Sequence, residues 1–169
     1  MTERILVRDL MSVGVQTCSA DAAITDIARL LLENDLEAVV VLDEDGQGIG
    51  LVGQDELVKA YAQDNYRDLS AEEAMTDGVP HLPPDIPLSA AAQLMQDKGV
   101  RVAYYMHNAA GIIYPASVIS YRHFLRHMAA NNDNELNDLG IKAVRQSPLD
   151  AFIKKRDEAR QRNQTFHQE

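Results

Sequence analysis

Leu10-Met11-Ser12-Val13-Gly14-Val15 returns 64 residues later as Ala74-Met75-Thr76-Asp77-Gly78-Val79. The same shift sets Asp21 on Asp85, Ile24 on Leu88, Leu31 on Met95 and Val39 on Ala103. Past that strand the offset becomes 67, and Val52 meets Ile119, Leu57 meets Phe124 and Ala62 meets Ala129. Two copies of one unit of about 60 residues imply a pseudo-two-fold module, with ligand sites expected in the clefts between the copies.

Each copy reads as short strand, helix, strand, strand, helix. In the first, Ser19-Ala20-Asp21 offers an N-cap for a helix over about residues 21–34, with Ile24, Ile27, Ala28, Leu31 and Leu32 on one face. Ala38–Leu42 is a continuous apolar, β-branched run that suits a buried strand. Glu44-Asp45-Gly46 makes a turn, residues 49–52 a second strand, and Asp55 opens a helix through about Ala62. In the second copy, Pro83-Pro84-Asp85 precedes a helix over about 87–98, stopped by Gly99. A strand over 100–106, a turn over 107–111, an extended stretch over 112–119 and a closing helix over 121–128 follow. Pro115 marks an edge or a bulge, because proline cannot donate to a sheet ladder. Residues 131–141 read as a polar linker, and Ser147-Pro148-Leu149-Asp150 starts a helix over 148 to about 163.

Composition narrows the function. The chain of 169 residues carries a net charge of −10, with 14 acids against 5 Lys+Arg in residues 1–70 and 5 against 4 in residues 71–130. Such a body is a poor partner for nucleic acid, which demands cations against its phosphates. An anion meets less repulsion in the second copy than in the first. Cys18 is alone, so no internal disulfide forms. No apolar run approaches the length of a membrane span and Thr2-Glu3-Arg4 does not open a signal peptide, so no membrane insertion and a cytoplasmic location are expected. His81, His107 and His127 are scattered without metal-ligand spacing, so no metal is expected. Gly46-x-Gly48-x-Gly50 follows a strand but opens another strand, which removes the dinucleotide reading, and no catalytic motif points to an enzyme.

The β-α-β-β-α copy resembles the CBS motif, and the pair resembles a Bateman module. The resemblance rests on Leu10-Met11-Ser12 and Ala74-Met75-Thr76, on Asp21-x-x-Ile24 and Asp85-x-x-Leu88, and on the segments 50–57 and 117–124. It implies an α/β fold of tandem repeats at residues 5–66 and 70–130, followed by the linker and C-terminal helix of 131–169. It further implies a regulatory module that binds adenosine derivatives (AMP, ADP, ATP or S-adenosylmethionine) and no other cofactor. Such modules often assemble as dimers and act on a separate protein, here unknown.

Nucleotide-binding members of that family hold the sugar with Ser/Thr-x-x-Asp at the last strand-to-helix junction, since a carboxylate can accept from both ribose hydroxyls. This chain departs from the pattern: the positions are Gly53 and Glu56 in the first copy, Ser120 and His123 in the second. Arg101 matches the arginine that contacts phosphate in phosphate-binding members, while the first copy has Glu37 there. The candidate cleft is therefore built from Arg101, Ser120, Arg122 and His123, with His81 where its strand begins. A protonated His123 is expected to meet a phosphate. Tyr104 or Tyr105 is expected to flank the base, although one of the two must face the core. Ala103 from the second copy, and Thr17, Val39 and Glu56 from the first, complete the nucleotide-binding set.

Two alternatives use other features. One is a dimerisation or interaction scaffold with degenerate clefts. The other is an accessory subunit docking through its C-terminal helix. Leu57, Val58 and Tyr61, with Phe124, Leu125 and Met128, exceed what a small monomer needs to bury and predict a homodimer.

Overall fold

A computed structural model describes residues 5–132 and 134–135. The expected helix over 148 to about 163 lies outside the described residues, as does most of the linker before it. The elements run α1 (Val7–Leu10), β1 (Ser12–Val13), β2 (Thr17–Ser19), α2 (Ile24–Glu33), β3 (Ala38–Leu42), β4 (Gly48–Gly53) and α3 (Gln54–Tyr61). The second copy follows as α4 (Ala71–Ala74), β5 (Thr76–Asp77), α5 (Leu88–Asp97), β6 (Val102–Ala109), β7 (Ile112–Ser120) and α6 (Tyr121–Ala129).

The two sheets exchange strands. One is ordered β2-β3-β4-β5 and the other β1-β7-β6, so each copy lends its first strand to the other's sheet. β1 pairs Ser12 with Val118, and β5 pairs Thr76 with Leu51. The sequence offsets of 64 and 67 map one pairing onto the other. The same exchange holds in the cores. Val7 of α1 packs with Leu88, Met95, Ala103 and Ile119, whereas Ala71 of α4 packs with Ile27, Leu31, Val39 and Val52. Apolar burial is the main stabilising term, so neither copy completes its core without the other. A third cluster joins the sheets through Ala38, Val40, Leu51, Val102 and Tyr104.

Two expectations need correction. α2 begins at Ile24 with Ala23 as N-cap, rather than near Asp21. The backbone before it is already committed: Ala71 N–H donates to Ala22 C=O, Ile24 N–H donates to Leu69 C=O, and Ala23 bridges Ser70. The turn expected over 107–111 shrinks to Ala110-Gly111, and β6 continues through His107–Ala109. Both turn residues have positive φ, 52° and 86°, as the primed hairpin turn requires. The longer hairpin holds the three residues that change the offset. Pro115 lies at a register irregularity opposite Tyr105/Met106, and Ala116 within it accepts from Gly14 N–H at 3.1 Å.

Candidate functional site

A cleft of about 550 Å³ opens where β4 turns into α3 and faces the second copy. The first copy lines it with Glu37, Gly53, Asp55 and Glu56, and the second with Thr76, Asp77, His81, Lys98 and Arg101. Its floor is Ala38, Leu51 and Val102 of the inter-sheet core.

Glu56 is fixed from two sides. Its Oε2 accepts from Gly53 N–H at 2.9 Å, capping α3, and its Oε1 accepts from Thr76 Oγ1 at 2.8 Å. Glycine at position 53 suits this arrangement: a Cβ there would lie 3.1 Å from Glu37 C=O and 3.3 Å from Glu56 Oε2. The carboxylate thus crowds the place where the family's hydroxyl would project. Each oxygen keeps a further lone pair for a ligand donor. Lys98 and Arg101 are exposed and make no ion pair with any described residue. His81 Nδ1 donates to Val79 C=O at 3.2 Å.

At the symmetry-related position an ion pair joins the two copies. Arg122 donates to Asp35 Oδ2 at 2.6 Å and to Asp35 C=O at 3.2 Å. Beneath that clasp, His123 Nδ1 accepts from Ser120 N–H at 3.0 Å. With Nδ1 an acceptor, the proton of the neutral ring sits on Nε2, which donates to Ser12 Oγ at 2.9 Å. The His123–Ser12 contact is the counterpart of Glu56–Thr76 with donor and acceptor reversed. His123 is 8% exposed, and burial, with Arg126 and Arg122 nearby, lowers its pKa to about 4. It is neutral near pH 7, which corrects the expectation of a protonated ring offered to phosphate.

The CBS domain family model matches residues 7–63 and 71–130. The chain belongs to the CBS domain family. No curated protein sequence matches it. Among solved structures, a CBS-domain containing protein from Agrobacterium tumefaciens is 24% identical over 76% of this chain and 96% of its own, with a TM-score of 0.66. The CBS domain pair of protein MJ0100, in complex with 5′-methylthioadenosine and S-adenosyl-L-methionine, is 20% identical over 76% and 98%, with a TM-score of 0.66. CBSX2 in complex with AMP is 17% identical over 73% and 95%, with a TM-score of 0.60. These likenesses concern the fold.

The structure brings only some of the expected residues to the open cleft. Arg101 and His81 join Glu56 in the open cleft. Ser120, Arg122 and His123 do not line it, although Ser120 neighbours Arg101 in the sheet, where Val102 pairs with Ser120 and Tyr121 N–H donates to Arg101 C=O at 3.0 Å. Thr17, the counterpart of His81, pairs with Val40 beside β3. Val39 and Ala103 are buried among helix-facing core residues. Tyr104 is 1% exposed in the inter-sheet core and does not line the open cleft; Tyr105 is half-buried, opposite Ser117. Asp55, Thr76, Asp77 and Lys98 line the open cleft without having been singled out from the sequence. The offsets carried a signal for them: Asp55 aligns with Arg122, Thr76 with Ser12 and Lys98 with Asn34. The first of these substitutions reverses a charge between the two positions and the last removes one.

Proposed function

We propose that this protein is a regulatory module that takes an adenine nucleotide (AMP, ADP or ATP) in the open cleft between its CBS repeats and acts on a partner protein in trans. One observation carries the reading. The open cleft joins a fixed carboxylate, Glu56, to two cations that pair with none of the described residues, Arg101 and Lys98, within a volume that suits a nucleotide. Glu56 is the acceptor for the ribose hydroxyls, and the guanidinium fork of Arg101 receives phosphate oxygens. The nucleotide is bound and released unchanged. It regulates only through a difference in affinity between two states of the module or its complex. The adenosine ligands in the complexes of protein MJ0100 and CBSX2 support that ligand class. S-adenosylmethionine is the alternative occupant.

Isothermal titration calorimetry tests the reading with wild type, Arg101→Ala and Glu56→Gln. Micromolar binding of an adenine nucleotide, weakened about tenfold or more in each variant, supports it. Heat from none of AMP, ADP, ATP or S-adenosylmethionine would sink it.

The scaffold reading draws on a separate observation. Val58, Tyr61, Leu125 and Met128 are 71, 69, 61 and 78% exposed, at matching positions of α3 and α6. Leu57 and Phe124, expected on the same surface, instead pack against the two cores. We assign the exposed pairs to homodimer contacts. The nucleotide and scaffold readings meet if the ligand alters how these helices pair. Among the described residues, no helix is long and apolar enough to cross a membrane.

A further inference from the structure

The open cleft has walls of opposite charge. Among the described residues, the first repeat supplies Glu37, Asp55 and Glu56, and the second supplies Lys98 and Arg101 together with one carboxylate, Asp77. Four carboxylates thus face two permanent cations. Local structure fixes both sides. Asp55 and Glu56 occupy the first turn of α3, where the helix dipole favours acids, and Glu56 already caps the backbone. That helix start is therefore not free to receive a phosphate. Lys98 is the C-cap of α5, where the dipole favours a cation, and Gly99, at φ 65°, turns the chain so that Arg101 follows at the start of β6.

We infer, resting on the nucleotide reading above, that this cleft selects a nucleoside monophosphate against the corresponding di- and triphosphate by charge. Lys98 and Arg101 together balance a phosphomonoester, which carries close to two negative charges near neutrality. Each further phosphoryl group adds negative charge, and no third permanent cation among the described residues lines the cleft to meet it. That charge lies within a Debye length of Asp55, Asp77 and Glu37. The symmetry-related position supplies the contrast: Arg122 stands there for Asp55 and Asn34 for Lys98, and Arg122 is paired with Asp35. Asp55 and Asp77 are specificity-determining residues in this account, Lys98 and Arg101 the phosphate contacts.

The test is a titration of adenosine, AMP, ADP and ATP in low salt with a chelator present, so that no divalent cation masks the phosphates. Wild type should bind AMP about tenfold or more tightly than ATP, with ADP between them, and the ratio should shrink as salt is raised. Asp55→Asn with Asp77→Asn should narrow the ratio to about threefold or less, chiefly by strengthening ATP. Lys98→Gln should weaken all three nucleotides and leave adenosine unchanged. Circular dichroism confirms that each variant folds, as expected for exposed side chains. ATP binding as tightly as AMP would overturn the selectivity while leaving the nucleotide reading intact. A ratio unchanged in the Asp55/Asp77 variant would overturn the role of the acidic wall. Failure of all four ligands would overturn the nucleotide reading itself.

Discussion

Acidifying the protein from pH 7 to pH 5 should cost it about 2 kcal/mol through His123 alone. The ring is buried and neutral, with its pKa lowered to about 4 from 6.5. Folded and unfolded chains therefore differ in proton uptake between those values. Below about pH 6.5 the unfolded state binds a proton that the folded state refuses. Stability is thus fully present above that pH and falls as pH drops toward 4, where the loss approaches about 3 kcal/mol. The structural cause is specific. A proton on Nδ1 would abolish the acceptor for Ser120 N–H, and with it the cap of α6. The assay is urea unfolding of wild type and His123→Gln at half-unit steps from pH 7.5 to 4.5. Glutamine at this position keeps a cap acceptor and carries no titratable proton. The wild-type stability should fall below that of the variant by the amounts above as pH drops. Parallel curves for the two proteins would refute the assignment of a buried neutral ring.

Gly50→Ala should destabilise the fold by about 2 kcal/mol or more, because the new Cβ would lie 2.8 Å from Thr76 C=O and against Met75 Sδ. Urea unfolding should show it, and an unchanged midpoint would contradict the β4–β5 pairing. Tyr104→Phe should stabilise by about 1 kcal/mol, since Tyr104 Oη is buried without a hydrogen-bond partner among the described residues. A loss of stability by calorimetric melting would mean that the hydroxyl is satisfied. Arg122→Ala removes the clasp on Asp35. Calorimetry with AMP should give one site per wild-type chain, and a second, weaker site only in the variant; two equal sites in wild type would contradict a blocking role for the clasp.

The duplicated segments and the change of offset were enough to read the tandem architecture. Periodicity placed α2, α3, α5 and α6 because their apolar faces are local. The strand exchange was not legible. Ser12-Val13 and Thr76-Asp77 are too short to carry a pattern, and their partners lie about 100 residues and about 25 residues away in the chain. Glu56, Arg101 and His81 were legible as chemistry, but their shared cleft depends on which repeat faces which. The exchange decides that, and it sets Thr76 of the second copy against Glu56 of the first. Tyr104 shows the same limit, because alternation says that one of two neighbouring tyrosines is buried and only the sheet-on-sheet packing says which.

The most direct measurement is a crystal structure of the protein grown with AMP. The account predicts the nucleotide in the cleft between α3 and the start of β6, its ribose on Glu56 and its phosphate on Arg101 and Lys98, with the Arg122–Asp35 clasp intact. Nucleotide seated at Ser120 and His123 instead, or a cleft left unchanged at saturating AMP, would contradict it.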